Sequence, residues 1–82
     1  MLNAIYVVWN DAVSYDSWTS LEDISAELAE IHTLGFIVSE TPEVLSVALN
    51  FDVDNESVSC MINIPKQWIV SRKSITLAKD MT

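Results

Sequence analysis

The chain is short of nearly everything that marks a familiar active site. Its 82 residues include one glycine, two prolines, one cysteine and one histidine. A lone glycine, Gly35, leaves no glycine-rich loop to cradle phosphate with backbone N–H groups. A lone cysteine, Cys60, permits no internal disulfide, and one Cys with one His32 cannot build a zinc site within one chain. The most telling shortage is positive charge. Residues 1–65 contain eleven Asp or Glu and no Lys or Arg, and all four bases (Lys66, Arg72, Lys73 and Lys79) fall in residues 66–82 with Asp80 as the one acid. An anion held by side-chain charge is therefore held by the last fifth of the chain, or by that of a neighbouring copy.

The net charge of −8 excludes ordinary binding of duplex nucleic acid, which needs a basic footprint to neutralise phosphates, and disfavours an anionic membrane surface. It suits solubility, a basic partner, or mimicry of nucleic-acid charge. The first apolar run, residues 1–9, lacks a preceding basic region and is too short for a signal or a membrane span, so a cytoplasmic location is expected.

What is present is apolar surface. Half of the residues are hydrophobic, in a chain of a length that makes one domain, residues 1–82. Such a domain buries only about 60% of its unfolded surface, so part of this content stays outside, as at an interface. A homo-oligomer is expected.

Residues 5–9 (IYVVW) read as a strand buried on both faces, or on one face with the other against a partner. Residues 10–19, rich in Asn, Asp and Ser, read as a loop. A helix is expected next: Thr19 with Glu22, or Ser20 with Asp23, forms a capping box, and Leu21, Ile24, Leu28 and Ile31 make one helical stripe. Residues 34–39 form a second strand, in which Gly35 marks a bulge or a close backbone approach. Residues 44–51 and 58–64 alternate as strands around a polar hairpin loop, with Leu45, Val47, Leu49 and Phe51, then Val58, Cys60, Ile62 and Ile64, facing inward. Pro65 opens a one-turn helix to about Ile69. Residues 74–77 read as a last strand, and 78–82 as a frayed tail.

That order is the order of a small five-stranded barrel: a β-rich α+β domain of the SH3-like kind, with one α-helix in the first loop and a one-turn helix before the last strand. Sm-like barrels also carry a packed helix, but place it before the first strand, which makes SH3-like the better description. The IYVVWNDA opening, the DSW segment, the T-x-G-F strand (Thr33 to Phe36) and the IPKQWI segment before S-R-K together resemble a group of small bacteriophage proteins. The resemblance implies a phage accessory protein acting on its host, in the host cytoplasm, and assigns no activity to any residue.

No residue set reads as catalytic, and no cofactor or metal is expected. Cys60 lies in an inward row and reads as a buried thiol, while His32 reads as a polar group at the helix end. Asp52, Asp54, Asn55 and Glu56 lack the central glycine and the terminal glutamate of an EF-hand loop, so they read as a solvated hairpin. Trp9 reads as core and Trp68 as a plug at the barrel end.

Two binding constellations remain. In the first, Tyr15 and Trp18, large aromatics in a polar loop, stack on a base while Arg72 and Lys73 hold phosphates, so that an oligomer sequesters a small nucleotide immune signal. In the second, Glu22, Asp23, Glu27 and Glu30 form an acidic face that docks on a basic surface of a host protein. A virion structural or assembly component is a third, duller reading.

Overall fold

A computed structural model describes residues 2–76. Five strands, β1 (Ala4–Asp11), β2 (Ala29–Glu40), β3 (Val44–Asp52), β4 (Ser57–Pro65) and β5 (Ile69–Ile75), form one antiparallel sheet in the order β4-β3-β2-β1-β5. The β-rich class is as the sequence implied. The sheet does not close into a barrel.

Ala4, Ser46 and Ala48 are buried on one face of the sheet, but the main core cluster lies on the other. Alternation puts Ile5, Val7 and Trp9 of β1 on that face with Leu45 and Val47 of β3 and Ile64 of β4, all buried; Ile31, Ile37 and Ile69 pack against them. Ile64 and Ile69 belong to the two opposite edges of the sheet, which in a flat sheet lie about 19 Å apart at the usual strand spacing. Pro65 at the end of β4 and Ile69 at the start of β5 are joined by only the Lys66–Trp68 turn, too short to span that distance, so the sheet curls. A register shift between Ile37 and Ser39 on β2, and another between Val8 and Trp9 where β1 meets β5, contribute to that curl. Gly35 serves as a close approach: a Cβ there would meet the carbonyl oxygen of Ala48 at 2.5 Å.

The α-helix expected in the first loop is absent. Residues 12–28 are a loop with one 3₁₀ turn, Leu21–Asp23, and β2 begins at Ala29. The reason is competition from β1, whose eight residues pair with Ala29–Phe36 without a break. Ile31 is thereby drawn to a place opposite Trp9. What remains of the stripe, Leu21 to Leu28, is too short to hold a helix that packs on nothing. His32 accordingly sits on a strand, paired with Val8.

Three further expectations shift. Cys60 is exposed rather than buried. Its φ of 56° takes it out of regular strand geometry, and neighbouring Ile62 and the facing Leu49 are exposed as well. The last strand begins at Ile69, not Ser74; Leu77 and the tail lie outside the described residues. The one-turn helix is a 3₁₀ turn, Lys66–Trp68. It sets Trp68 on Trp9, with ring centroids 6.4 Å apart and planes 15° apart, while Trp9 Nε1 donates to Thr33 Oγ1 at 3.0 Å.

Candidate functional site

The basic segment comes first, because the sequence made it the anion site. Arg72 lies on β5 opposite Val7, and Lys73 lies opposite Tyr6. Successive strand residues face opposite sides, so the two cations do not converge on one phosphate. Arg72 shares the core face with Val7 and reaches across it to β2. There it donates to Glu40 through two nitrogens, at 2.9 and 3.0 Å, and Lys66 Nζ lies 2.7 Å from the same carboxylate. The bonds from Arg72 and then Lys66 hold the Glu40 carboxyl down at about 2, and the carboxylate in turn raises Arg72.

This cluster ties the end of β2 to β5, so it is an element of structure. Its pH dependence has a defined sign. A carboxyl held below its ordinary 4.5 stabilises the fold above that pH, and the contribution is lost as pH falls toward about 2. Glu40→Gln is expected to flatten that part of an acid titration of Tm. By the same linkage the loss of Tm at neutral pH equals the amount by which the acid limb is flattened, and both are expected to be modest because the pair is solvated. A variant whose acid limb matched wild type would show that the pair contributes nothing.

Tyr15 and Trp18 lie in the loop, with different duties. The Tyr15 hydroxyl donates to the Ser25 carbonyl at 3.2 Å and accepts from the Ser25 N–H at 3.1 Å, pinning the loop across its width. Trp18 is fully exposed and borders an open depression shared with Tyr15, Asp16, Thr19 and Ile24. No hydrogen bond or ion pair among the described residues joins these aromatics directly to Arg72 or Lys73.

The acidic set is redistributed too. Glu22 and Asp23 are exposed on the 3₁₀ turn and Glu27 is exposed in the loop. Glu30 stands on β2, where its carboxylate lies 2.8 Å from His32 Nε2; His32 Nδ1 bonds the Tyr6 hydroxyl. This Glu30–His32–Tyr6 row was not foreseen. The i, i+2 spacing of Glu30 and His32 would have revealed half of it had these residues been read as strand. The row lies on an exposed sheet surface, and among the described residues no Ser, Thr or Cys is bonded to it.

Asp52 is used within its own hairpin. Its carboxylate accepts from the side-chain amide of Asn55 at 2.8 Å and from the N–H groups of Asp54 and Asn55, which together lower its pKa.

The loop is left as the unusual feature. Residues 12–28 carry Asp16, Glu22, Asp23 and Glu27 and no base. Val13, Tyr15, Trp18, Leu21, Ile24 and Leu28 are all exposed there, Leu21 at 89% and Trp18 completely. A loop of this length without strands or helices of its own is uncommon in a compact domain and usually functional or disordered. No family model, curated protein or solved structure matches the chain. No helix among the described residues is long and apolar enough to cross a membrane.

Proposed function

We propose that the protein is a non-enzymatic phage accessory protein that blocks a host protein, and that loop 12–28 is the part that docks. One observation carries this reading: six apolar side chains and four carboxylates are exposed together on a loop that holds no base. Trp and Tyr are the side chains that most often anchor interfaces, and a rim of one charge sign steers association and rejects wrong partners. The partner this chemistry fits has a basic rim around an apolar groove. The acidic residues act as parts of the loop and of the start of β2. The strand order and the 3₁₀ turn before β5 support reading the sheet as an open relative of the SH3-like barrel, with the loop as its long first connection.

Sequestration of a small nucleotide is the second reading. It draws support from the Trp18 indole, open for stacking on a base. Within one chain Arg72 is engaged by Glu40, so this reading leans on Lys73 as the cation for the phosphates. The virion-component reading is removed if the protein is missing from purified particles.

Charge reversal separates the first two. Replacing Glu22, Asp23 and Glu27 together by Lys is expected to abolish activity in infected cells while Arg72→Ala with Lys73→Ala leaves it intact. Sequestration demands the opposite pattern, and also a nucleotide-sized added mass in native mass spectrometry of protein purified from bacteria with active immune signalling. Full activity in both variants would sink both readings.

A further inference from the structure

Strands β4 and β5 are the two edges of the open sheet, each with a neighbour on one side among the described residues. Free edges pair readily with other chains unless charges, prolines or bulges prevent it. β5 carries Arg72 and Lys73. β4 reads SVSCMINIP and holds no charge over its nine residues, with Met61 and Ile62 exposed on it. Copies of a chain with net charge −8 repel one another over most of their surface, and β4 is an edge that carries no charge to repel.

The charges that bracket β4 choose the direction of pairing. Glu56 immediately precedes the strand and Lys66 immediately follows it. Parallel pairing would set like charges side by side, whereas antiparallel pairing sets each against its opposite. We propose that two copies of this chain pair antiparallel through β4, on a two-fold axis at Met61, into one continuous sheet. In this register Glu56 faces the partner's Lys66, Ser59 faces the partner's Asn63, and Val58 faces the partner's Ile64. Lys66 has donors to spare beyond the one given to Glu40. Asn63 accepts from Ser46 at 2.6 Å through Oδ1 and keeps its amide hydrogens for the partner's Ser59. The φ of 56° at Cys60 interrupts the edge, so the ladder forms as two short runs on either side of Met61. Loop 12–28 stays free in both copies, and the pairing stands whether or not that loop docks on a host protein.

Equilibrium sedimentation of the full chain tests this. Wild type is expected at twice 9.2 kDa. Met61→Lys places two ammonium groups together at the axis and is expected to weaken the dimer by about 100-fold or more, with circular dichroism unchanged. Met61→Cys in a Cys60→Ala background is expected to form an intermolecular disulfide on mild oxidation, since facing residues of an antiparallel pair have Cα atoms about 4.5–5.5 Å apart. Ser71→Cys in that background, on the β5 edge, is expected not to cross-link. If Met61→Lys unfolds, the cross-link decides. A monomeric wild type, a folded Met61→Lys dimer of undiminished affinity, cross-linking of Ser71→Cys with itself, or cross-linking only in mixtures of the two cysteine variants would each overturn the proposal. The last of these would indicate head-to-tail assembly.

Discussion

Gly35→Ala is expected to lower stability by about 3 kcal/mol or more, at the upper end of what overpacking costs. A domain this small has a total of roughly 4–12 kcal/mol, so the variant is left near the threshold of folding. The cause is space. Gly35 pairs with Ile5 on β1 and lies against the β3 backbone at Ala48. A Cβ would stand 2.5 Å from the Ala48 carbonyl oxygen, 3.2 Å from that residue's carbonyl carbon and 2.8 Å from Val47 Cγ1. The valine methyl can be removed or turned, but the carbonyl belongs to the backbone of β3. It moves only if the β2–β3 pairing opens, and that pairing holds Val47 and Leu45 in the core. Adding Val47→Ala to Gly35→Ala is therefore expected to recover only part of the loss, giving a non-additive double mutant. Urea denaturation of the three variants reads this directly. A Gly35→Ala midpoint close to wild type would mean that β2 and β3 do not approach as described.

That glycine was legible in the sequence because a glycine inside an alternating strand has few explanations. The β3 row was legible in part: Leu45 and Val47 are buried as alternation implied, but Leu49 of the same row is exposed and Ser46 and Ala48 of the other row are buried. Strand β1, read as a continuous apolar run, exposes Tyr6. The loop was misread because its stripe satisfies a helical period that nothing in the fold rewards. Ile31 fits that stripe and also fits a strand, and the eight-residue ladder offered by β1 decides between them. Local spacing cannot report a partner twenty residues away. Cys60 failed for a related reason. Its alternation is correct on paper, but the core ends near Ile64, and the strand beyond it kinks with little left to cover it. The candidate site was legible as composition and not as geometry. The sequence placed Arg72 and Lys73 side by side, and the strand set them on opposite faces. It grouped the acids on one helix, and the structure spread them over a turn, a loop and a strand.

Trp18→Ala is expected to separate binding from folding more cleanly than any other change in the molecule. A buried Trp cannot be removed without cost, and Trp9→Ala would be lost to that effect. Trp18 contacts so little of its own chain that it is fully exposed, and its removal is expected to leave stability within about 0.5 kcal/mol of wild type. Its worth, if the loop docks, lies entirely in the complex. Central aromatic anchors cost about 2 kcal/mol or more when truncated, roughly a 30-fold loss of affinity. Leu21, nearly as exposed and three residues on, is expected to follow with a smaller loss, and the pair to fall short of additivity if one groove takes both. The carboxylates beside them act differently. Reversing Glu22, Asp23 and Glu27 should slow association and remove its salt dependence, whereas Trp18→Ala should speed dissociation and leave that dependence in place. Measured on the isolated host partner, a Trp18→Ala variant that bound as tightly as wild type would exclude the loop as the docking element. One that lost affinity together with several degrees of Tm would show the indole packed within the fold, and the same measurement distinguishes the two.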